Sequence, residues 1–103
     1  MNKEKRQRLE EEGFSVGTAA EFLQLTAADE VIIELRLALA REVREQRKER
    51  GMTQKDLATR CSTSQARISN LENAKEGASI DALIAALAEL GADRKTIGQI
   101  IAG

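Results

Sequence analysis

Gln65, Ala66, Ser69 and Asn70 are the residues whose types and spacing suggest chemistry, and that chemistry is the reading of base edges. They fall on the outward face of a short helix that opens after Ser64 and turns Ile68 and Leu71 inward. An amide such as Gln65 can pair with adenine N6 and N7 together. A methyl such as Ala66 suits the thymine C5-methyl, and a hydroxyl such as Ser69 adapts to donor or acceptor. Asn70 lies five residues beyond Gln65, about 1.4 turns, and is expected to face nearly the same way. No acid stands among these four. Arg67 has three open uses: gripping phosphate, reading guanine, or pairing with an acid.

Catalytic and metal chemistry find little material. The chain has no histidine, which removes the commonest general base and metal ligand. Cys61 is the single cysteine, so an intrachain disulfide and a multi-cysteine metal cluster are both excluded, and a reducing compartment is compatible. Cys61 stands at the apolar position before a turn and is expected to pack there. The Asp and Glu pairs read as helix surface. We expect no enzyme, no cofactor and no metal.

The elements that must position the reading face are two short helices joined by a tight turn. Thr53 and Ser64 are good N-caps, each bringing a side-chain oxygen to an orphan backbone N–H. After Thr53, Leu57 and Ala58 share one face, and Ala58 is small where two helices would cross closely. Cys61-Ser62-Thr63 between them has about the length a helix-turn-helix allows.

The run Thr63-Ser64-Gln65-Ala66-Arg67-Ile68-Ser69-Asn70-Leu71-Glu72-Asn73-Ala74-Lys75, with Thr53-Gln54 and Ala58 upstream, resembles the Cro/cI-type (XRE family) helix-turn-helix proteins. The likeness covers roughly residues 36–91. It implies an all-α, lambda-repressor-like DNA-binding domain of four to five helices, over residues 31–103, with an N-terminal helical extension over residues 1–30. It also implies that Gln54 contacts a phosphate and braces the recognition helix, where the helix N-terminus adds N–H groups and a positive dipole end. Thr53, Ser64 and Lys75 join the DNA-facing set, Lys75 as a phosphate contact. Glu72 is expected in an intramolecular pair. Two positions depart from the pattern. Ser62 and Ala74 stand where glycine is common, and a positive φ there costs a non-glycine residue of order 1 kcal/mol.

The charge distribution fits. Net charge is −1 overall, yet residues 41–75 carry nine basic and five acidic groups, against five and eight in residues 1–40 and two and four in residues 76–103. The local field governs attraction to phosphate. Arg44, Arg47, Lys48 and Arg50 read either as a solvated face paired with Glu42, Glu45 and Glu49 or as phosphate contacts. In residues 1–12, lysines and arginines alternate with acids, as in a solvated tail or helix, or a DNA-gripping arm. No basic-then-apolar leader and no apolar run near 18 residues is present, so export and membrane spanning are not expected; the expected location is cytoplasmic.

Elsewhere the pattern is helical. Gly13 and Gly17 bracket an irregular stretch with Phe14 and Val16, and Thr18 caps a short helix to about Gln24. Thr26, with Asp29 and Glu30 in the first turn, opens a long helix to about Arg50, stopped by Gly51. Val31, Ile33, Leu35, Leu37 and Leu39 alternate as a strand would, yet Ile32, Leu35, Leu39 and Val43 also make a helical stripe, and Leu, Ala, Glu and Arg content and the cap decide for helix. Being apolar on several sides, this segment offers Val31, Ile33, Leu37 and Leu39 to a partner or dimer interface. Ser79 caps a helix through Leu90 whose inward stripe is Ile80, Leu83, Ile84, Leu87 and Leu90, closed by Gly91. Ile97, Ile100 and Ile101 make the tail a short helix or an edge strand.

Such readers bind double-stranded DNA as dimers on inverted repeats, so a homodimer is expected. The Gly13-to-Leu23 segment, a Leu35-Arg36-Leu37-Ala38-Leu39 helix and then the motif resemble HigA-like antitoxins. That resemblance implies a repressor of its own operon that neutralises a RelE/HigB-like toxin. The alternatives are a free-standing XRE-family transcriptional regulator and an adaptor working through protein contacts.

Overall fold

The computed structural model describes residues 26–75 and 77–103. Backbone contacts divide the chain into two units, Met1–Ile33 and Glu34–Gly103. The expected helix after Thr18 and the charged residues 1–12 lie outside the described residues. So does Glu76.

Local chemistry sets the helix starts. Helix α1, Ala27–Glu49, opens at Thr26. Thr26 Oγ1 accepts from Asp29 N at 3.1 Å while the Asp29 carboxylate accepts from Thr26 N at 3.0 Å, a reciprocal capping box. Helix α2, Gln54–Arg60, has the same device between Thr53 and Asp56. Ser64 caps α3, Gln65–Glu72, Ser79 caps α4, Ile80–Glu89, and Asp93 caps α5, Arg94–Ala102. The described residues are all-helical, without strands. Residues 31–39 are therefore helix despite their alternation, and the tail is a helix rather than an edge strand.

Helix ends follow one rule. After α1, α2, α3 and α4 the residue at the left-handed position is Gly51, Ser62, Ala74 and Gly91, with φ of 67°, 55°, 50° and 93°. Each is followed by the N–H bond back across the last turn that defines the Schellman motif: Met52 to Arg47, Thr63 to Ala58, Lys75 to Asn70 and Ala92 to Leu87. Ser62 and Ala74 thus adopt the backbone expected of glycine and carry its steric cost.

The core of the second unit joins Leu39, Ala40 and Val43 of α1 to Leu57 and Ala58 of α2, Ile68 and Leu71 of α3, and Leu83, Ala86 and Leu87 of α4, with Leu90 behind. Ala78, from the loop before α4, is fully buried among them. Ile97 and Ile100 of α5 pack against this cluster half-buried. Each fully buried leucine contributes about 1.5–3 kcal/mol by leaving water. Leu39 corrects the sequence expectation. It is 0% exposed, one turn before Val43 on the inward stripe, and belongs to the core rather than to a partner surface. Leu37, two positions earlier, is exposed. In the first unit Val31, Ile32 and Ile33 are exposed too.

Candidate nucleic-acid interface

Helix α3 is only eight residues long, so it depends on its ends and its buried side. Ser64 Oγ accepts from Arg67 N at 3.1 Å, and the turn at Ala74 closes the other end. Ile68, Leu71 and Glu72 face inward, whereas Gln65, Ala66, Arg67 and Asn70 are exposed and Ser69 is half-buried. At 3.6 residues per turn, five residues amount to a rotation of roughly 140°. Gln65 and Asn70 therefore do not face the same way. They stand at opposite edges of an outward face whose middle holds Ala66, Ser69 and Asn73. Asn73 is a member that sequence reasoning missed. Its Nδ2 donates to Ser69 O at 2.9 Å and lies 3.5 Å from Ser69 Oγ, so Ser69 is partly engaged within the helix.

A buried charge network fixes this helix against its neighbours. The Glu72 carboxylate accepts from Arg47 Nε at 2.6 Å and from Arg47 Nη2 at 3.0 Å, the bidentate arrangement that guanidinium geometry favours. Gln54 Nε2 donates to the same carboxylate at 3.2 Å, and Arg44 Nε lies 3.6 Å away. Arg47 Nη1 also donates to Met52 O at 2.8 Å, and Arg44 Nη2 donates to Asn73 Oδ1 at 3.0 Å. The last turns of α1, the start of α2 and the end of α3 are thereby tied at one point. Among the described residues no buried side-chain nitrogen or oxygen lacks a partner, the condition under which a buried polar cluster rigidifies rather than destabilises. Burial pushes the Glu72 carboxyl upward, but hydrogen bonds from Arg47 and Gln54 and the charges of Arg47 and Arg44 outweigh it, holding the group below its ordinary value.

This network sorts the expected phosphate contacts. Gln54 does brace the recognition helix, through Glu72. Glu72 does form an intramolecular pair. Arg47 is not part of a solvated face: it is 8% exposed and bonded to Glu72. Arg44 is drawn to Asn73 and Glu72, while Lys48 and Arg50 are exposed. Arg47 falls one turn after Val43 on the inward stripe, a position Lys48 does not share, but helical spacing does not name its partner. Its partner lies 25 residues away, beyond the reach of helical periodicity.

The N-cap hydroxyls of Thr53 and Ser64 accept from backbone N–H groups inside the protein, and each O–H retains a donor that a phosphate oxygen can use. Lys75 is exposed just past α3. Arg67 is exposed on the far flank of α3, with Nη1 3.7 Å from where a side chain on Gly77 would begin. Arg67 also borders a recess of about 230 Å³ between α3 and α4, lined by Cys61, Leu71 and Ala86 among others. Cys61 packs half-buried against the core, and that burial pushes its thiol up, with the Glu89 charge adding to it against Arg60.

Among the described residues no helix is long and apolar enough to cross a membrane. They contain no cluster of His, Cys, Asp and Glu fit to hold a metal. Comparison with curated proteins and with solved structures gave no match. The family model described as a helix-turn-helix domain matches residues 38–97, which takes in the last turns of α1, then α2, the turn, α3 and α4. More than half of the chain, and all of the geometry built here around Glu72, falls within that match: the chain belongs to the helix-turn-helix domain family of DNA-binding regulators.

Proposed function

We propose that this chain is a sequence-specific transcriptional repressor that binds an inverted-repeat operator as a homodimer, and not an enzyme. Helix α3 enters the major groove, where Gln65, Ala66, Ser69 and Asn70 meet base edges, while Thr53, Gln54, Ser64 and Lys75 hold phosphates. The observation that carries this reading is the outward face of α3, polar and free of acids, on a helix whose inner side is braced through Glu72. Arg67 flanks that face and serves the phosphate backbone better than the base edges. The reading requires neither cofactor nor metal and places the protein in the bacterial cytosol or nucleoid.

The finer reading is the antitoxin of a type II toxin–antitoxin pair, repressing its own operon and capturing a RelE/HigB-like toxin. Its support is the exposed apolar set Val31, Ile33 and Leu37 on α1, side chains that gain by burial against a partner. A second copy of the chain uses the same physics, and that is the free-standing regulator reading. Co-expression with a neighbouring toxin-like reading frame, followed by co-purification, separates the two.

The DNA-binding reading is tested by titrating variants against the chain's own promoter, single-base variants of it and random duplex. Gln65→Ala should cost about 1–3 kcal/mol and relax preference at one base pair per half-site. Lys75→Ala should weaken promoter and random duplex alike and reduce the salt slope by about 1. Uniform weakening by Gln65→Ala would make it a positioning residue and leave the readout to Ser69 and Asn70.

A further inference from the structure

Arg36 lies outside the helix-turn-helix segment and has no part in the network around Glu72, yet its guanidinium reaches the loop that leaves the recognition helix. Arg36 Nε donates to Ala78 O at 2.8 Å, and Arg36 Nη2 lies 3.3 Å from Lys75 O. These two carbonyls bracket the loop. We infer that Arg36 is a positioning residue for DNA backbone binding, holding the loop so that Lys75 meets a phosphate. This rests on the reading of Lys75 as a phosphate contact.

The loop needs such a clamp. Ala74, with φ 50°, and Gly77, with φ 89°, turn the chain sharply on either side of Lys75. Within it Ala78 N donates to Lys75 O at 2.9 Å and Ser79 N to Gly77 O at 3.0 Å. The Ala78 side chain is wholly buried, which anchors the far end. The near end is anchored by Lys75 N donating to Asn70 O at 3.0 Å. Arg36 ties the two anchors together. Its Nε and one Nη lie on the same edge of a rigid planar fork and can serve two acceptors at once, a geometry that a lysine ammonium lacks. The cation also sits near the carboxyl end of α3, where exposed carbonyls concentrate negative dipole. Lys75 has a long flexible side chain; fixing its backbone shortens the search its ammonium must make for a phosphate.

The test uses the full chain and a mixed-sequence DNA duplex, because phosphate contacts do not depend on sequence. Fluorescence anisotropy titrations over a range of salt concentrations are run for Arg36→Met, Arg36→Lys, Lys75→Ala and the doubles with Lys75→Ala. Thermal melts and far-UV circular dichroism establish that each variant is folded, and Arg36→Lys supplies the data if Arg36→Met is not. We expect Arg36→Met to weaken binding about fivefold and to lower the salt slope by about 0.9, as Lys75→Ala does. In the Lys75→Ala background the same change should alter affinity by less than about twofold, since coupled residues do not add. Arg36→Lys, which keeps the charge, should behave as Arg36→Met. Additive losses, or full affinity in folded Arg36→Lys, would show that Arg36 acts by its own charge and overturn the inference. If Lys75→Ala changes neither affinity nor slope, the phosphate reading of Lys75 fails, and the inference falls with it.

Discussion

Replacing Glu72 by glutamine keeps the shape of the side chain and removes its charge, so it isolates what the buried pair contributes. In the protein the carboxylate receives three hydrogen bonds, two from Arg47 and one from Gln54, with Arg44 close by. A glutamine offers one oxygen, and its amide nitrogen would face donors that cannot accept. At least one Arg47 N–H then loses its partner, and Arg47 is only 8% exposed, so water cannot readily replace it. A hydrogen bond to a charged group is worth about 1.5–3 kcal/mol net. Leaving the opposite charge buried and unpaired raises the cost to about 3–5 kcal/mol. Against a total stability of about 5–15 kcal/mol for a small protein, that is a large share. It corresponds to a melting-temperature loss of more than roughly ten degrees.

The assay is urea unfolding followed by far-UV circular dichroism, on Glu72→Gln, Arg47→Met and the apolar double Glu72→Leu/Arg47→Met. The double variant should be more stable than the sum of its parts, because it leaves no charge unpaired in the interior. Its DNA binding should nevertheless fall, since Gln54 loses the acceptor that orients it. A cost below about 1 kcal/mol for Glu72→Gln at unchanged m-value would refute the reasoning. The brace on α3 would then have to be apolar packing alone.

Four further outcomes are expected. Ala74→Gly relieves a left-handed residue that costs about 1–2 kcal/mol while adding unfolded-state entropy worth about 0.5–1 kcal/mol. A net gain of about 0.5–1 kcal/mol should appear as a melting temperature raised by a few degrees, and an unchanged or lower melt would contradict it. Glu72 is held below its ordinary 4.5, and Asp29, Asp56 and Asp93, bonded first by the backbone N–H groups they cap, below 3.8. Because these folded-state values are depressed, their contribution is complete above the ordinary values and is lost as pH falls through the folded ones. Thermal melts should be flat near neutrality and decline below about pH 4.5, with Glu72→Gln flattening that decline. Ile33→Lys and Leu37→Lys should each leave helical content intact while disrupting self-association or toxin capture, measured by sedimentation and pull-down. Leu39→Ala should instead cost about 2–5 kcal/mol of stability.

What was legible in the sequence was legible for local reasons. Thr26, Thr53, Ser64 and Ser79 announce helix starts because a cap acts over three residues, and all four are caps in the structure. Leu57, Ala58, Ile68 and Leu71 announce the packed side of the two short helices because the 3.6 period is set within the helix itself. The resemblance to the helix-turn-helix family marks Ser62 and Ala74 as positions where glycine is common, and their φ values of 55° and 50° agree. Gln65 and Asn70 show where local reasoning needs care: about 1.4 turns brings them close along the helix, but the fractional turn separates the two side chains around it.

Leu39 and Arg47 show where local reasoning ends. Both lie on the helical stripe that runs through Leu35, Leu39 and Val43, but spacing alone does not choose between a core and a partner for Leu39, or between solvent and a buried acid for Arg47. The choice is made by what α2, α3 and α4 bring to it: a packed cluster for Leu39 and the Glu72 carboxylate for Arg47. Arg36 is harder still, since its acceptors are backbone carbonyls, which every residue carries and no residue type advertises. The reading face of α3 can be inferred from its side chains. The residues that hold that face and its trailing loop in place act through burial and backbone contacts over 25 to 42 positions, and those only the folded chain discloses.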